Sequence, residues 1–276
     1  MPGAATFRAM HESGCFVLPN PWDVGSAVYL KHLGFKALAT TSAGVAFTRG
    51  EPDTVTAVPL APMLAHIRDI VGATSLPVNA DFLSGYADEP EGVAKNVALC
   101  VDTGCAGLSI EDNTGVASAP LYPMDLAVER IRAARRAIDA SGSGAVLTAR
   151  CEAYLVGSPD PIRDALTRLP AFAAAGADCL YAPGVTKPEE IAAIVAAVAP
   201  KPVNVLMSSP SKVLSVGRLA DLGVRRISVG SALARTAWGA FIRAAQSIAE
   251  TGSFDAFSGA ASFSEMERVF GERDRR

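Results

Sequence analysis

Long apolar runs are missing from this 276-residue chain, although half of its residues are hydrophobic. No stretch approaches the roughly 20 apolar residues that a membrane helix needs. The opening MPGAATFRAMHESG lacks the charged start and apolar core of a signal peptide. Charge is scarce as well: 19% of residues are charged, the net charge is −3, and there is no basic tract. The nearest approach to one, residues 130–136, reads as the solvated face of a helix. Nucleic acid and membrane are therefore excluded as partners, and a cytoplasmic protein is expected. Five cysteines, an odd number without a C-x-x-C pair, exclude a disulfide framework and a structural zinc site. The three histidines (His11, His32, His66) fall in helical segments or the N-terminal lead, which argues against a histidine base or a histidine-bound metal. The six lysines also miss the strand ends, so a Schiff base has no evident nucleophile. Neither a G-x-G-x-x-G nor a Walker loop occurs. What remains is oxygen chemistry.

The chain does contain a regular alternation. Short apolar runs at 16–19, 37–40, 76–80, 107–110, 145–149, 179–182, 202–206 and 226–229 read as buried strands. Between them lie segments with helical spacing, such as 125–140, 161–175, 188–198 and 212–222. Several of these helices stop at a glycine before an apolar strand (Gly34, Gly104, Gly176, Gly223). Eight βα units in about 250 residues is the size of a closed (β/α)8 TIM barrel, and an open doubly wound sheet would show fewer strands. The expectation is a single α/β barrel domain over residues 1–276, with 251–276 as a C-terminal helical extension. Its apolar residues (Phe263, Met266, Val269, Phe270) need cover from the barrel or from a partner subunit.

Three of the strands end in acids or an arginine: LPVNAD (76–81), GLSIED (107–112) and AVLTARCE (145–152). Active sites of parallel barrels sit at those ends. Residues two apart share a strand face, so Asn79 points with Asp81 and Arg150 with Glu152, while Cys151 points away as a structural thiol. One of Glu111 and Asp112 faces the mouth. Oxygen donors without nitrogen or sulfur suit Mg2+ or Mn2+, and an arginine beside them suits a carboxylate. A competing reading makes the same residues an internal ion-pair layer. Two lesser candidates are Tyr122, read as a packed aromatic rather than a lid acid, and the 229–231 turn, whose N–H groups could cradle an anion.

The segments LPNPWDVGSA (18–27), ALATTSAGVAF (37–47), PVNADFLSGY (77–86), GLSIEDN (107–113) and LTARCEAYLVG (147–157) resemble, in order, the isocitrate lyase and phosphoenolpyruvate mutase superfamily. The resemblance implies a (β/α)8 barrel, commonly a tetramer with an exchanged terminal helix. It also implies Mg2+ and an α-keto or 2-hydroxy carboxylate processed through an enolate-like intermediate. By position, the backbone N–H groups of Ser42, Ala43 and Gly44 would hold the substrate, and Asp53 matches an acid near the metal. Asp81 and Glu111 match metal-shell acids that act through water, and Arg150 matches the substrate-contacting arginine. Two departures matter. Asn79 stands where many relatives carry an acid, and the 111–123 loop has no Lys, Cys or His, which disfavours the isocitrate lyase, methylisocitrate lyase and mutase reactions. The resulting expectation is a Mg2+-dependent lyase that cleaves a C–C bond or decarboxylates a small carboxylate, as a homo-oligomer (dimer or tetramer). The alternatives are P–C bond chemistry or a non-catalytic keto-acid-binding barrel.

Overall fold

The computed structural model describes residues 2–271. Eight strands, β1 (Phe16–Leu18), β2 (Leu38–Ala39), β3 (Val78–Asp81), β4 (Gly107–Glu111), β5 (Val146–Arg150), β6 (Cys179–Tyr181), β7 (Val203–Leu206) and β8 (Arg226–Ser228), pair in parallel in the order β1-β8-β7-β6-β5-β4-β3-β2. Each lies within or one residue beyond a run read as a strand. The seam between β1 and β2 is drawn together by the Ala39 N–H, which donates to the Pro19 carbonyl at 3.0 Å. Asn20 reinforces it. Its Nδ2 donates to the Thr40 carbonyl (2.9 Å), and its Oδ1 accepts the N–H groups of Val229 and Gly230 (3.0 and 2.9 Å), so one buried side chain ties β1, β2 and β8.

Helices alternate with the strands. In chain order they are α1 (Pro2–Ala9), α2 (Val24–His32), α3 (Ser42–Thr48), α4 (Leu60–Ala73), α5 (Pro90–Val101), α6 (Met124–Ser141), α7 (Pro161–Ala174), α8 (Pro188–Val198), α9 (Val216–Asp221), α10 (Ala232–Thr251) and α11 (Phe263–Gly271). The glycines read as helix stops at 34, 104, 176 and 223 all have φ between 86° and 107°, a region that a side chain would strain. The expected 212–222 helix is shorter than its apolar spacing suggested, because the Ser215 hydroxyl caps α9 by accepting the Arg218 N–H.

Three features depart from or add to the sequence reading. The lead forms α1, which plugs the amino end of the barrel: Phe7 is fully buried among Leu18, Ala106, Val146 and Cys179. Gly107 makes room for it, since a Cβ there would lie 2.8 Å from the Val146 carbonyl oxygen and 3.0 Å from the Phe7 ring. The solvated-face reading of residues 130–136 fails at Arg130, which is 1% exposed. Its guanidinium donates to the carbonyls of Ser84, Ala87 and Asp88 in the loop after β3. That loop holds Leu83 and Tyr86 at positive φ, so its carbonyls face inward without a helix or sheet to satisfy them. Finally, α11 packs on α2 of the same chain, with Val269 buried beside Ala27, Val28 and Ile70 and the Tyr29 hydroxyl donating to Glu265 at 3.0 Å. The last five residues of the expected extension lie outside the described residues. Of α10, only Ala234 is buried, and Trp238, Phe241 and Ile242 are exposed.

If α1 is part of the core, Phe7→Ala lowers stability by about 3–5 kcal/mol, measured as a shift in urea unfolding. A loss below about 1 kcal/mol would mean that the plug rests on the barrel without supporting it.

Candidate active site

The carboxyl ends of the strands surround a cavity of about 250 Å3, lined by Ser42, Ala43, Asp53, Asn79, Asp81 and Arg150 among others. Arg150 is the last residue of β5, and its register partner on β4 is Glu111. Each guanidinium nitrogen meets a different carboxylate. Nη1 is 2.8 Å from Asp81, Nη2 is 3.1 Å from Glu111, and Nε is 2.9 Å from Glu152. The alternation expected on β5 therefore holds, and of the two neighbouring acids left open on β4 Glu111 faces the arginine, while Asp112 turns away to accept the Glu152 N–H (2.8 Å) and pair with Arg168 (3.1 Å).

Burial governs the electrostatics. It pushes the Glu111 carboxyl well above the usual range, and Glu152 upward as well, with Arg150 opposing both. Asp112 is pushed up to about 6 by burial. Asp53 stands at the exposed rim, its carboxyl raised by partial burial and by the charge of Asp81. Burial also works against the Arg150 charge, but Glu152, Glu111 and Asp81 together hold its pKa well above the ordinary value. Three acids thus share one guanidinium, with Asp53 beyond them at the rim.

The turn after β2 contributes less free backbone than expected. Thr41 caps α3 by accepting the Gly44 N–H at 3.2 Å, and both the N–H and the hydroxyl of Ser42 donate to Asp81 (2.9 and 2.8 Å). Among the three N–H groups expected to hold substrate, Ala43 is the one without an internal partner among the described residues. Gly44 is required for packing, since a Cβ there would press on Thr41 and Trp22. The proposed anion cradle at 229–231 is also filled, because the Asn20 side chain takes two of its N–H groups.

The 111–123 loop folds back on itself through an antiparallel bridge between Asn113 and Leu121, and its tip at Gly115 lies against Val55, two residues from Asp53. Tyr122 is a packed aromatic. It is 5% exposed, its hydroxyl donates to Asp88, and Arg130 stacks 3.9 Å from its ring centroid. Cys151 is fully buried, its thiol pushed up by burial, which fits a structural role. Among the described residues the cavity wall holds neither histidine nor lysine, and no three acid, histidine or cysteine side chains converge tightly enough to coordinate a metal directly.

The reading from the strand ends missed the lower wall of the cavity: Tyr181 on β6, Asn204 on β7 and Arg226 and Ser228 on β8. Arg235 of α10, which donates to the Ser208 carbonyl at 2.6 Å, lies at the mouth. Strand alternation applied to 226–229 would have turned Arg226 and Ser228 to one face.

Three comparisons bear on this site. The phosphoenolpyruvate phosphomutase family model matches residues 7–249. An uncharacterized protein of Mycobacterium tuberculosis (strain H37Rv) is 33% identical over 232 residues, 82% of each chain. An oxaloacetate decarboxylase of Bradyrhizobium sp. (strain ORS 278) is 30% identical over 80% of this chain and 78% of its own. A Burkholderia cenocepacia J2315 crystal structure, its activity described only as lyase/mutase, superimposes with a TM-score of 0.93. It is 48% identical, over 98% of this chain and 95% of that one.

The charge balance around Arg150 has a pH signature. Glu111 and Glu152 bind protons more readily folded than unfolded, so stability falls as pH rises from the unfolded toward the folded pKa values. Removing the guanidinium widens that interval. Arg150→Met should therefore cost about 3–5 kcal/mol at pH 8 and clearly less at pH 5, read from thermal unfolding at both pH values. Equal losses would show that Arg150 does not hold these acids ionised.

Proposed function

The chain belongs to the phosphoenolpyruvate phosphomutase family, and from its site we propose a Mg2+-dependent lyase that cleaves or decarboxylates a small α-keto or 2-hydroxy carboxylate. The observation that carries this reading is a single guanidinium ringed by an excess of acids at the strand ends, facing a cavity of about 250 Å3. Three ion pairs leave two of the five Arg150 N–H donors for a substrate carboxylate. The Ala43 N–H adds a further donor on the same wall. Ser42 holds Asp81, and Gly44 allows the turn its tight packing against Trp22.

The residues fit a hard cation. The donors are oxygen throughout, and three carboxylates face a single guanidinium. Asp81 and Glu111 would hold Mg2+ (or Mn2+) through water, with Asp53 as an auxiliary acid at the rim. Bound there, the ion would draw electron density from a keto oxygen and stabilise the enolate left by bond cleavage. Arg150 orients the carboxylate, and the 111–123 loop packed at the rim limits water.

A second reading, a keto-acid-binding barrel without turnover, is favoured by one observation: Arg150 already neutralises much of the acid cluster without a metal. Phosphorus–carbon chemistry has less support, because the loop offers no lysine. No helix is long and apolar enough to cross a membrane among the described residues. The exposed Trp238, Phe241 and Ile242 of α10 support a homo-oligomer, dimer or tetramer, which sedimentation would resolve.

Calorimetric titration with oxalate, an enolate mimic, tests the proposal. Binding should require Mg2+ and disappear in Arg150→Ala while the fold survives. Oxalate binding that is indifferent to the metal, or turnover that survives exhaustive chelation, contradicts the Mg2+ mechanism.

A further inference from the structure

Below Arg150 the barrel interior is polar, and its lowest member is a cation with no carboxylate partner among the described residues. Arg226 is 2% exposed, and the partners of its guanidinium are neutral: Asn204 Oδ1 for Nε (2.9 Å), Thr148 Oγ1 for Nη2 (2.9 Å) and His11 Nε2 for Nη1 (3.3 Å). A guanidinium has no lone pair to offer, so every one of these bonds must run outward from Arg226. His11 conforms, since its Nδ1 lies 2.7 Å from the Phe7 carbonyl and must carry the ring proton, leaving Nε2 as acceptor. Burial followed by the Arg226 charge lowers its pKa to about 3, which keeps the ring neutral.

That constraint propagates up the wall. Asn204 must turn Oδ1 to Arg226, so its amide NH2 faces Ser228 and donates to Oγ at 2.9 Å. Ser228, accepting there, sends its own proton to its other neighbour, the Tyr181 oxygen, at 3.5 Å. The Tyr181 oxygen is thereby the acceptor at the end of a directed relay. Its single O–H proton has no acceptor in that relay and is left to the cavity, whose wall Tyr181 and Ser228 both line. Tyr181 is also the β6 register partner of Arg150, whose guanidinium carbon lies 5.3 Å from the ring centroid.

We propose that Tyr181 is the acid that protonates the enolate carbon. Asn204, Ser228 and Arg226 act as positioning residues that fix the direction of its O–H. This rests on the enolate reading above. In the step, a C–H bond forms at the enolate carbon as the phenol O–H breaks, and the negative charge passes to the phenolate. Arg150 and the Ser228 hydroxyl stabilise that charge, and a solvent proton entering through the cavity restores the phenol. Two other ionisable groups near the strand ends are committed elsewhere: the Tyr122 hydroxyl donates to Asp88, and the Cys151 thiol is buried in the hydrophobic core. Burial pushes the Tyr181 hydroxyl up to about 12, so the phenol holds its proton at neutral pH until a strong carbon base arrives.

Proton delivery can be read without bond cleavage. Ketonisation of the enol form of oxaloacetate, followed by loss of its ultraviolet absorbance, is measured in the presence of Mg2+ alongside calorimetric binding of oxalate. The native protein should accelerate ketonisation. Tyr181→Phe should lose at least about 100-fold of that acceleration with oxalate affinity within about twofold of native. Ser228→Ala should lose about tenfold, also without loss of oxalate. Native-like acceleration by Tyr181→Phe overturns the proposal. So does parallel loss of oxalate binding in that variant, which would make Tyr181 a binding group. A native protein that neither binds oxalate nor accelerates ketonisation fails differently, because it removes the enolate reading and the proposal with it.

Discussion

The charge on Arg150 is the constraint around which the site is built. A buried guanidinium is tolerated only when its desolvation is offset, and here three carboxylates from three strand ends or the residues after them do so at 2.8–3.1 Å. The compensation overshoots. With Asp53 at the rim, acids outnumber the cation, and burial raises Glu111, Glu152 and Asp53 alike. A site with this imbalance is poised either to hold protons or to attract a further cation, and both states prepare it for a substrate that brings its own oxygens.

The rest of the barrel serves that geometry. Asn20 ties the first, second and last strands, and the Ser42 turn braces Asp81 from the side opposite Arg150. Arg130 supports the loop after β3 from outside, through carbonyls that no sheet or helix satisfies. At the amino end, α1 closes the barrel with Phe7, and the glycine at 107 is what allows the ring to approach the strands. The interior between these ends is polar. Arg226 donates to neutral acceptors and so orders the hydrogen bonds above it, and a second cation without a carboxylate thus sets the direction of the wall facing the substrate.

Much of this was legible in the sequence, for identifiable reasons. Strands buried on both faces read as uninterrupted apolar runs, and their ends stand out where acids or arginine interrupt them, which picks out Asp81, Arg150 and the Glu111–Asp112 pair; the family resemblance singles out Glu111. Period-two alternation then separated Arg150 and Glu152 from Cys151. Arg130 was misread because a cation in a helical charge run looks solvated, whereas its partners are backbone carbonyls that carry no sequence signal. The lower wall was missed for a different reason. Tyr181 closes β6 with a phenol rather than an acid or arginine, and Arg226 opens β8 beside Arg225, at the strand end opposite the mouth. The turn at 42–44 was located, but its occupied N–H groups depend on the Thr41 and Asp81 side chains reaching back, a tertiary matter.

The account stands on the acid-ringed arginine being a substrate and metal site rather than a closed ion-pair layer. Crystals grown with Mn2+ and oxalate, with the anomalous signal of the metal mapped, test this most directly. The account predicts a metal peak beside Asp81 and Glu111, bridged by water, with oxalate between it and the Arg150 guanidinium. An empty cavity with the three ion pairs unchanged at saturating ligand would contradict it.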